Sequence, residues 1–377
     1  MTLNIKLYIK RLSLVVLLSP CVTNVTFAQL PDTSSVNRIA DRLLVVSEIP
    51  EIAYAVVKPD NILFIQTRGF HKVDLKDAQN AANLSDYFHL GSNTKAITGF
   101  IAAHLVEQGK ISWATKFFDL FPAMKKESNA AFYNISLSDL LSHRAYIKPY
   151  TSGLEYKFLP EFKGNPSEKR MQFVQYILKG LPVEKNSKVY SYSNAGYSVA
   201  ALMLERVSGM TWEALVEKVL HKELALSYKL GWPNKADKDQ PWGHWMENKK
   251  LTPVPGDIKY NLSLAEPAGD ISMPLQDYAK FIQLNLKGLS GEHNYLKSST
   301  YNFLHYGKKD YSIGWANVST DQEQLSDHAG SAGTFYAYTQ IDKRNHIAYV
   351  IFANSATQKA QKAVHDFLTH LASRYGK

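Results

Sequence analysis

The sequence predicts an α+β fold: an antiparallel sheet flanked by helices, with a large inserted all-helical lobe. Three observations predict it. Two apolar, β-rich runs separated by a turn occur early, at 52–57 and 62–65. The stretch from about 110 to 265 carries mostly helix and loop signals. β-like runs then resume from 311, and a helix closes the chain at 357–375.

Each element follows from its local pattern. Residues 31–48 form an amphipathic helix, with Val36, Ile39, Leu43 and Val46 on one face. Ile52–Val57 and Ile62–Ile65 flank Lys58-Pro59-Asp60-Asn61, which is turn chemistry, so they form a hairpin. A helix runs from Ser92 to Gln108 with Ile97, Phe100, Ile101, Leu105 and Val106 as its stripe, and Gly109 ends it. A short helix is expected at Leu137–Ser142 and a stronger one at Gly196–Val207, ending at Ser208-Gly209. Residues 232–260, rich in Trp, Pro, Gly, Asn and Lys, read as a long excursion. Ser272–Leu286 is expected to be helical. Tyr311–Ala316, Thr334–Ile341 and His346–Phe352 are expected to be strands, with Lys343-Arg344-Asn345 turning between the last two.

The chain of 377 residues is 45% hydrophobic and 20% charged, an ordinary globular composition that excludes collagen-like and disordered acidic classes. Its formal charge is +9. Residues 1–28 read as a secretory signal peptide: Lys6, Lys10 and Arg11 precede the apolar Leu12–Leu18, and Thr26-Phe27-Ala28 is a cleavage site before Gln29. Losing those three basic residues lowers the charge from +9 to +6. The apolar run is too short to span a bilayer. The expected destination is the periplasm or the medium, with residues 29–377 as one domain. In it, 29–110 and 266–377 form the α/β part and 111–265 the helical lobe. Cys21 is the only cysteine, so the mature chain would have neither a disulfide nor a cysteine metal site. Basic residues are scattered, which argues against nucleic acid as a partner.

Three short motifs carry chemistry. Ser92-Asn93-Thr94-Lys95 puts two side chains on one helix face. A serine needs a base, and Lys95 is one if burial keeps it neutral. Tyr192-Ser193-Asn194 stands just before a helix; Tyr192 can relay a proton and Asn194 can orient an amide. His328-Ala329-Gly330-Ser331 enters a strand of small residues that lets substrate approach the backbone and offers N–H donors to an oxyanion. No phosphate loop or dinucleotide fingerprint is present, and the histidines are scattered singly, so neither cofactor nor metal is expected.

The order and spacing of these motifs resemble the serine β-lactamase and penicillin-binding-protein superfamily, in its class C branch. Phe88–Ser92, Leu105–Ser112, Leu140-Leu141-Ser142-His143, Pro267–Ser272 and Tyr311–Trp315 add local resemblance over roughly 35–375. The resemblance implies a β-lactamase/transpeptidase-like fold. Ser92 would be the acylated nucleophile, and Lys95 and Tyr192 the general acid and base. Asn194, His328, Gly330 and Ser331 would contact substrate, with the Ser92 and Ser331 amides as oxyanion donors. The implied protein is an exported serine hydrolase acting through an acyl-enzyme on D-amino-acid peptides, β-lactam-like amides or small esters. A true class C β-lactamase and a penicillin-recognising sensor or assembly protein with little turnover are the alternatives.

Two departures bear on substrate. Arg144-Ala145-Tyr146 replaces the family's usual Thr-Ser-Gly after Leu-Leu-x-His, and His328 replaces the usual Lys. Arg144 is either a contact for an anionic substrate or a structural residue. A histidine near its ordinary pKa would weaken carboxylate binding as pH rises from about 6 to 8, unless Asp327 or Asp270 held it protonated. Trp242-Gly243-His244-Trp245 would either form an apolar lip on the cleft or anchor its loop to the domain surface.

Overall fold

The computed structural model describes residues 34–184, 189–257 and 264–376. The expected signal peptide lies outside them. Thr33–Lys377 forms one compact unit, and among the described residues no helix is long and apolar enough to cross a membrane.

In chain order, helix α1 (Ser34–Val46) leads into strands β1 (Glu51–Val57) and β2 (Ile62–Gly69), then β3 (Tyr87–His89) and helix α2 (Thr94–Glu107). Short helices and the longer helices Pro166–Lys179 and Asn194–Ser208 follow. The insert then turns to strands: β4 (Lys229–Leu230), β5 (Gly243–Glu247) and β6 (Lys250–Val254). β7 (Ile271–Pro274), helix Leu275–Leu289 and helix Ser298–Tyr306 lead to β8 (Ala316–Ser319), β9 (Gln324–Ser331), β10 (Tyr336–Asp342) and β11 (Ile347–Ala353). Helix Gln358–Tyr375 ends the fold.

The main sheet has the order β2-β1-β11-β10-β9-β8, and its pairings are antiparallel. β1 and β11 are buried along their whole length because both faces of the sheet are covered. Alternation then divides their side chains between two cores. Ile52, Tyr54 and Val56 pack with Val36, Val364, Phe367 and Leu371 under α1 and the C-terminal helix. Ala53, Ala55 and Val57 face the larger core, with Ile97, Phe100, Leu202 and Ile282. The hairpin turn is closed by the Lys58 amide donating to Asn61 O at 2.8 Å.

Four expectations need correction. The helix expected from Ser272 begins at Leu275; Ile271–Pro274 is instead strand β7, between β3 and β4. Backbone pairing to the segment ahead of Ser92, including Leu90 N–H to Ile271 O at 2.9 Å, outweighs local propensity there. Tyr311–Trp315 is not a strand but a bend, with Asp310 and Gly314 at φ 66° and 79°. An added Cβ at Gly314 would sit 2.6 Å from Lys95 O, so the bend lies against α2 at backbone distance. The excursion at 232–260 contains the hairpin β5–β6, turned by Asn248 and Lys249, both at positive φ. The inserted stretch is therefore helical up to about 223 but carries short strands at its end.

Candidate active site

Ser92 sits in a 3-10 turn, Gly91–Asn93, that runs directly into α2. Two glycines bring β9 onto that turn. A Cβ on Gly91, whose φ is 51°, would lie 2.3 Å from Ser331 N. A Cβ on Gly330 would lie 2.0 Å from Leu90 O and 2.8 Å from Ser92 N. The amides of Ser92 and Ser331 thus converge on one place. Buried Asn93 fixes the turn: its Nδ2 donates to Leu90 O at 3.3 Å and Ala337 O at 3.1 Å, and its Oδ1 accepts from Tyr278 OH at 3.1 Å. His89 Nδ1 accepts from Gly91 N–H at 3.2 Å, leaving Nε2–H to face Asp270 Oδ1 at 3.2 Å.

Lys95 follows one turn into α2 and is fully buried. Its Nζ lies 3.1 Å from Ser92 Oγ, 2.7 Å from Asn194 Oδ1 and 2.8 Å from Ala268 O. These neighbours are neutral oxygens. Burial without a carboxylate contact holds the Lys95 pKa well below its ordinary value. In the neutral amine, two N–H groups serve the two shorter contacts, and the lone pair is left to accept the Ser92 hydroxyl proton. The Ala268 carbonyl is held by its own helical turn, Glu266–Gly269, where Glu266 pairs with buried Arg170 at 2.9 Å. Arg170 also pairs with Glu205 and Glu213, which ties this turn to the Asn194–Ser208 helix.

Tyr192 and Asn194 enter at the start of that helix, which Ser193 caps by accepting from Gly196 N–H at 3.1 Å. The Tyr192 ring lies 4.7 Å from Lys95 Nζ. Burial pushes the Tyr192 phenol up, and the neighbouring Ser92 hydroxyl offsets part of the rise. Asn194 is engaged at both ends of its amide: Oδ1 takes Lys95, and Nδ2 donates to Tyr150 O at 3.0 Å. Its contacts within the protein hold the lysine.

His328 is buried on β9, with its ring 6.3 Å from that of Tyr192. Nδ1–H donates to Ala329 O at 2.9 Å, and Nε2 accepts from Tyr311 OH at 2.9 Å. Burial, and then the nearby Lys95, bring its pKa down to about 3. These surroundings hold His328 toward its neutral form, which argues against the expected weakening of carboxylate binding between pH 6 and 8. Neither proposed acid reaches it: Asp270 faces His89, and Asp327 projects from the opposite face of β9 toward Tyr338. Arg144 is structural. It donates to the carbonyls of Ser142 at 2.9 Å, Tyr311 at 2.7 Å and Lys309 at 2.7 Å. The Trp-Gly-His-Trp segment is an anchor: buried His244 links Asn354 O at 2.9 Å and Val73 N–H at 3.2 Å, and its own amide donates to Thr334 O at 3.0 Å.

The structure thus brings Ser92, Lys95, Tyr192, Asn194, His328, Gly330 and Ser331 together. It adds three positioning residues that spacing alone did not single out: His89, Tyr311 and His143. His143 Nδ1 accepts from Ser193 N–H at 3.1 Å, and its ring lies 4.2 Å from Tyr192 and 4.5 Å from Tyr311. His89, His143 and Tyr311 all stand in segments with family resemblance, which was the available signal.

A family model described as Beta-lactamase matches residues 36–373. The chain belongs to the beta-lactamase family. Among curated relatives of this beta-lactamase-family protein, Protein flp of Staphylococcus aureus (strain NCTC 8325 / PS 47) is 21% identical over 344 residues. That match covers 90% of this chain and 66% of the relative, so the chain spans about two thirds of its length. A Beta-lactamase of Providencia stuartii is 24% identical over 219 residues, 58% of this chain and 51% of the relative. Two solved structures share the fold. The octameric penicillin-binding protein homologue from Pyrococcus abyssi superposes with a TM-score of 0.73 at 18% identity, covering 92% of this chain and 78% of that one. A class C beta lactamase from Rhodobacter sphaeroides gives 0.68 at 17% identity, covering 90% and 99%. At these identities the likeness is one of fold.

Proposed function

We propose that this beta-lactamase-family protein is an exported serine hydrolase that works through an acyl-enzyme on uncharged esters or on amides of small D-residue peptides. The observation that carries this reading is Lys95: fully buried, 3.1 Å from Ser92 Oγ, and surrounded by neutral acceptors. Its environment drives it to the neutral base, while burial of Tyr192 drives that side chain to the neutral acid. Two groups whose surroundings push their pKa values apart in this way divide the acid and base work between them.

In the proposed reaction Ser92 Oγ attacks a carbonyl carbon as its proton passes to Lys95 Nζ. The oxyanion lies against the Ser92 and Ser331 amides. Tyr192 gives a proton to the leaving oxygen or nitrogen and is reprotonated through Lys95. Water then attacks the acyl-enzyme by the same route in reverse and frees the acid. His328 and Arg144 add no charge to this site: the first is neutral and the second is spent on carbonyls. That supports uncharged substrates over carboxylate-bearing ones, and with them low β-lactam turnover. The export signal at 1–28 supports a mature hydrolase domain from Gln29 onward, in the periplasm or the medium.

The test is intact-mass spectrometry after exposure to a fluorophosphonate, with peptide mapping and steady-state rates on p-nitrophenyl butyrate and nitrocefin. Labelling on Ser92, lost in Ser92→Ala, is expected, with kcat/KM favouring the butyrate ester. Label on another serine would overturn the site. A nitrocefin kcat/KM above ~10⁵ M⁻¹s⁻¹ with negligible esterase activity would replace the substrate reading with a β-lactamase one.

A further inference from the structure

Away from Ser92, three buried side chains meet with no part in the chemistry above. Glu51 begins β1, His71 follows β2, and Asp86 directly precedes β3. They are 0%, 2% and 1% exposed. One nitrogen or oxygen from each lies within 4.8 Å of the other two. His71 Nε2 and Asp86 Oδ2 are 3.0 Å apart. Both Glu51 carboxylate oxygens are fully buried and lack a hydrogen-bond partner among the described residues, and neither His71 ring nitrogen has hydrogen-bond geometry to one.

Two carboxylates and an imidazole out of water are costly unless something neutralises them. The influences on Glu51 are burial and the Asp86 carboxylate, and both oppose its charge. The framework around the three groups is nevertheless firmly made. Asp86 accepts from Asn83 N–H at 2.6 Å and from Asn83 Nδ2 at 2.8 Å. Asn354 joins the other two: its Oδ1 accepts from Glu51 N–H at 2.7 Å, and its Nδ2 donates to His71 O at 3.1 Å. Asp86 is thus held by Asn83, while the Glu51 carboxylate and the His71 ring converge on it without hydrogen-bond partners of their own among the described residues. Partners that orient the ligands from behind are a common feature of metal centres.

We propose that Glu51, His71 and Asp86 bind a divalent transition-metal ion of the zinc class, which staples the start of β1 to the strand that feeds the Ser92 turn. One imidazole and two carboxylates are zinc donors, and two negative charges balance the ion. A fourth position falls to the second Glu51 oxygen or a water. Zinc bonds of about 2.0–2.2 Å set tetrahedral donors roughly 3.4 Å apart, against a present spacing of 3.0 Å for His71 and Asp86 and at most 4.8 Å across the three groups. Calcium and magnesium, which take six or more oxygens, fit this donor set poorly. Spacing offers no hint of the site, because its three residues lie 20 and 15 positions apart and match no ligand motif.

The experiment uses the mature protein, desalted and measured for metal by mass spectrometry, then stripped with a chelator and titrated with zinc chloride alone. About one equivalent of zinc is expected. Stripping should lower Tm by roughly 4 °C, as expected for a chain of this size at a hundredfold excess over Kd, and zinc should restore it. Glu51→Gln and Asp86→Asn should each weaken zinc binding at least tenfold in competition with a chromophoric chelator, while Ser92→Ala leaves it unchanged. Should the variants not fold, cobalt substitution of the wild-type protein gives a visible d–d absorption band that zinc abolishes. No retained metal and no Tm response to chelator or zinc would overturn the proposal in favour of a proton-sharing cluster. Equal zinc affinity in Glu51→Gln would do the same.

Discussion

Replacing Gly330 with alanine tests how the site is assembled. The φ of Gly330 is not in the left-handed region, so alanine adds a steric contact and no backbone strain. That contact is severe: the new Cβ would stand 2.0 Å from Leu90 O, and real Cβ atoms essentially never come within 3.0 Å of a neighbour. β9 must therefore retreat from the Ser92 turn by about 1 Å. The Ser92 and Ser331 amides separate by a similar amount. A displacement of that size costs on the order of 10²-fold, and loss of one oxyanion donor 10²–10³-fold in kcat. The expected result is a fall in kcat of about 10²–10³ on p-nitrophenyl butyrate, with slower fluorophosphonate labelling and a smaller change in KM. Overpacking should also cost about 1–3 kcal/mol in urea unfolding. A Gly330→Ala enzyme that keeps more than half its kcat would refute the claim that this close approach builds the oxyanion site.

Lys95→Met and Tyr192→Phe should each lower kcat by roughly 10²–10⁴, with little change in fluorescence-detected binding. Lys95→Met should also stabilise the fold at pH 7: the unfolded lysine holds a proton below about 10.4 and the folded one does not, so wild-type stability climbs with pH toward that value and the variant's advantage shrinks. KM for an anionic substrate should stay flat between pH 6 and 8 as far as His328 is concerned, since that group titrates at about 3; a clear rise in KM over that interval, absent in His328→Gln, would count against its neutrality. Acid unfolding should steepen below pH 6.5. His143, His244, His305 and His328 are all depressed by burial, so the unfolded chain takes up protons that the folded one excludes, as a proton-uptake titration would measure.

The elements legible in the sequence were those whose signal is local. The β1–β2 hairpin has its turn residues, α2 has its stripe and a terminating Gly109 at φ 70°, and the closing helix has its period. β7 was not legible because four buried residues ending in a proline carry no alternation that decides their state. Pairing with β3 decides it. The β5–β6 turn lacked the glycine that usually marks positive φ, since Asn248-Lys249 does that work. In the site, residue identities were legible from motif order, but directions were not. Asn194, expected to contact substrate, is joined within the protein to Lys95 and Tyr150 O, a direction its motif did not reveal. An acid, Asp327 or Asp270, was considered as the partner of His328, which is instead tied to Tyr311. Such choices depend on what the fold places opposite a side chain, which no spacing encodes.

Three basic side chains, Lys95, His143 and His328, surround the Tyr192 ring, and the surroundings favour the neutral form of each. Burial disfavours protonation of all three, Lys95 disfavours it further at His328 and His143, and His328 does so at His143. Their titrations are therefore linked: a proton on any one makes the others harder to charge. Hydrogen bonds complete the arrangement. Tyr311 donates to His328 Nε2, and Ser193 N–H donates to His143 Nδ1, so each imidazole must accept at that nitrogen and stays neutral there. A substrate carboxylate entering this pocket would have to supply the charge of its own counter-ion by raising one of these pKa values against burial. A neutral acyl group asks nothing of the kind, and in the proposed reaction the one proton that Lys95 takes from Ser92 is passed on through Tyr192. The same burial that costs stability at Lys95 thus favours its free base, and under the proposed function it would disfavour charged substrates.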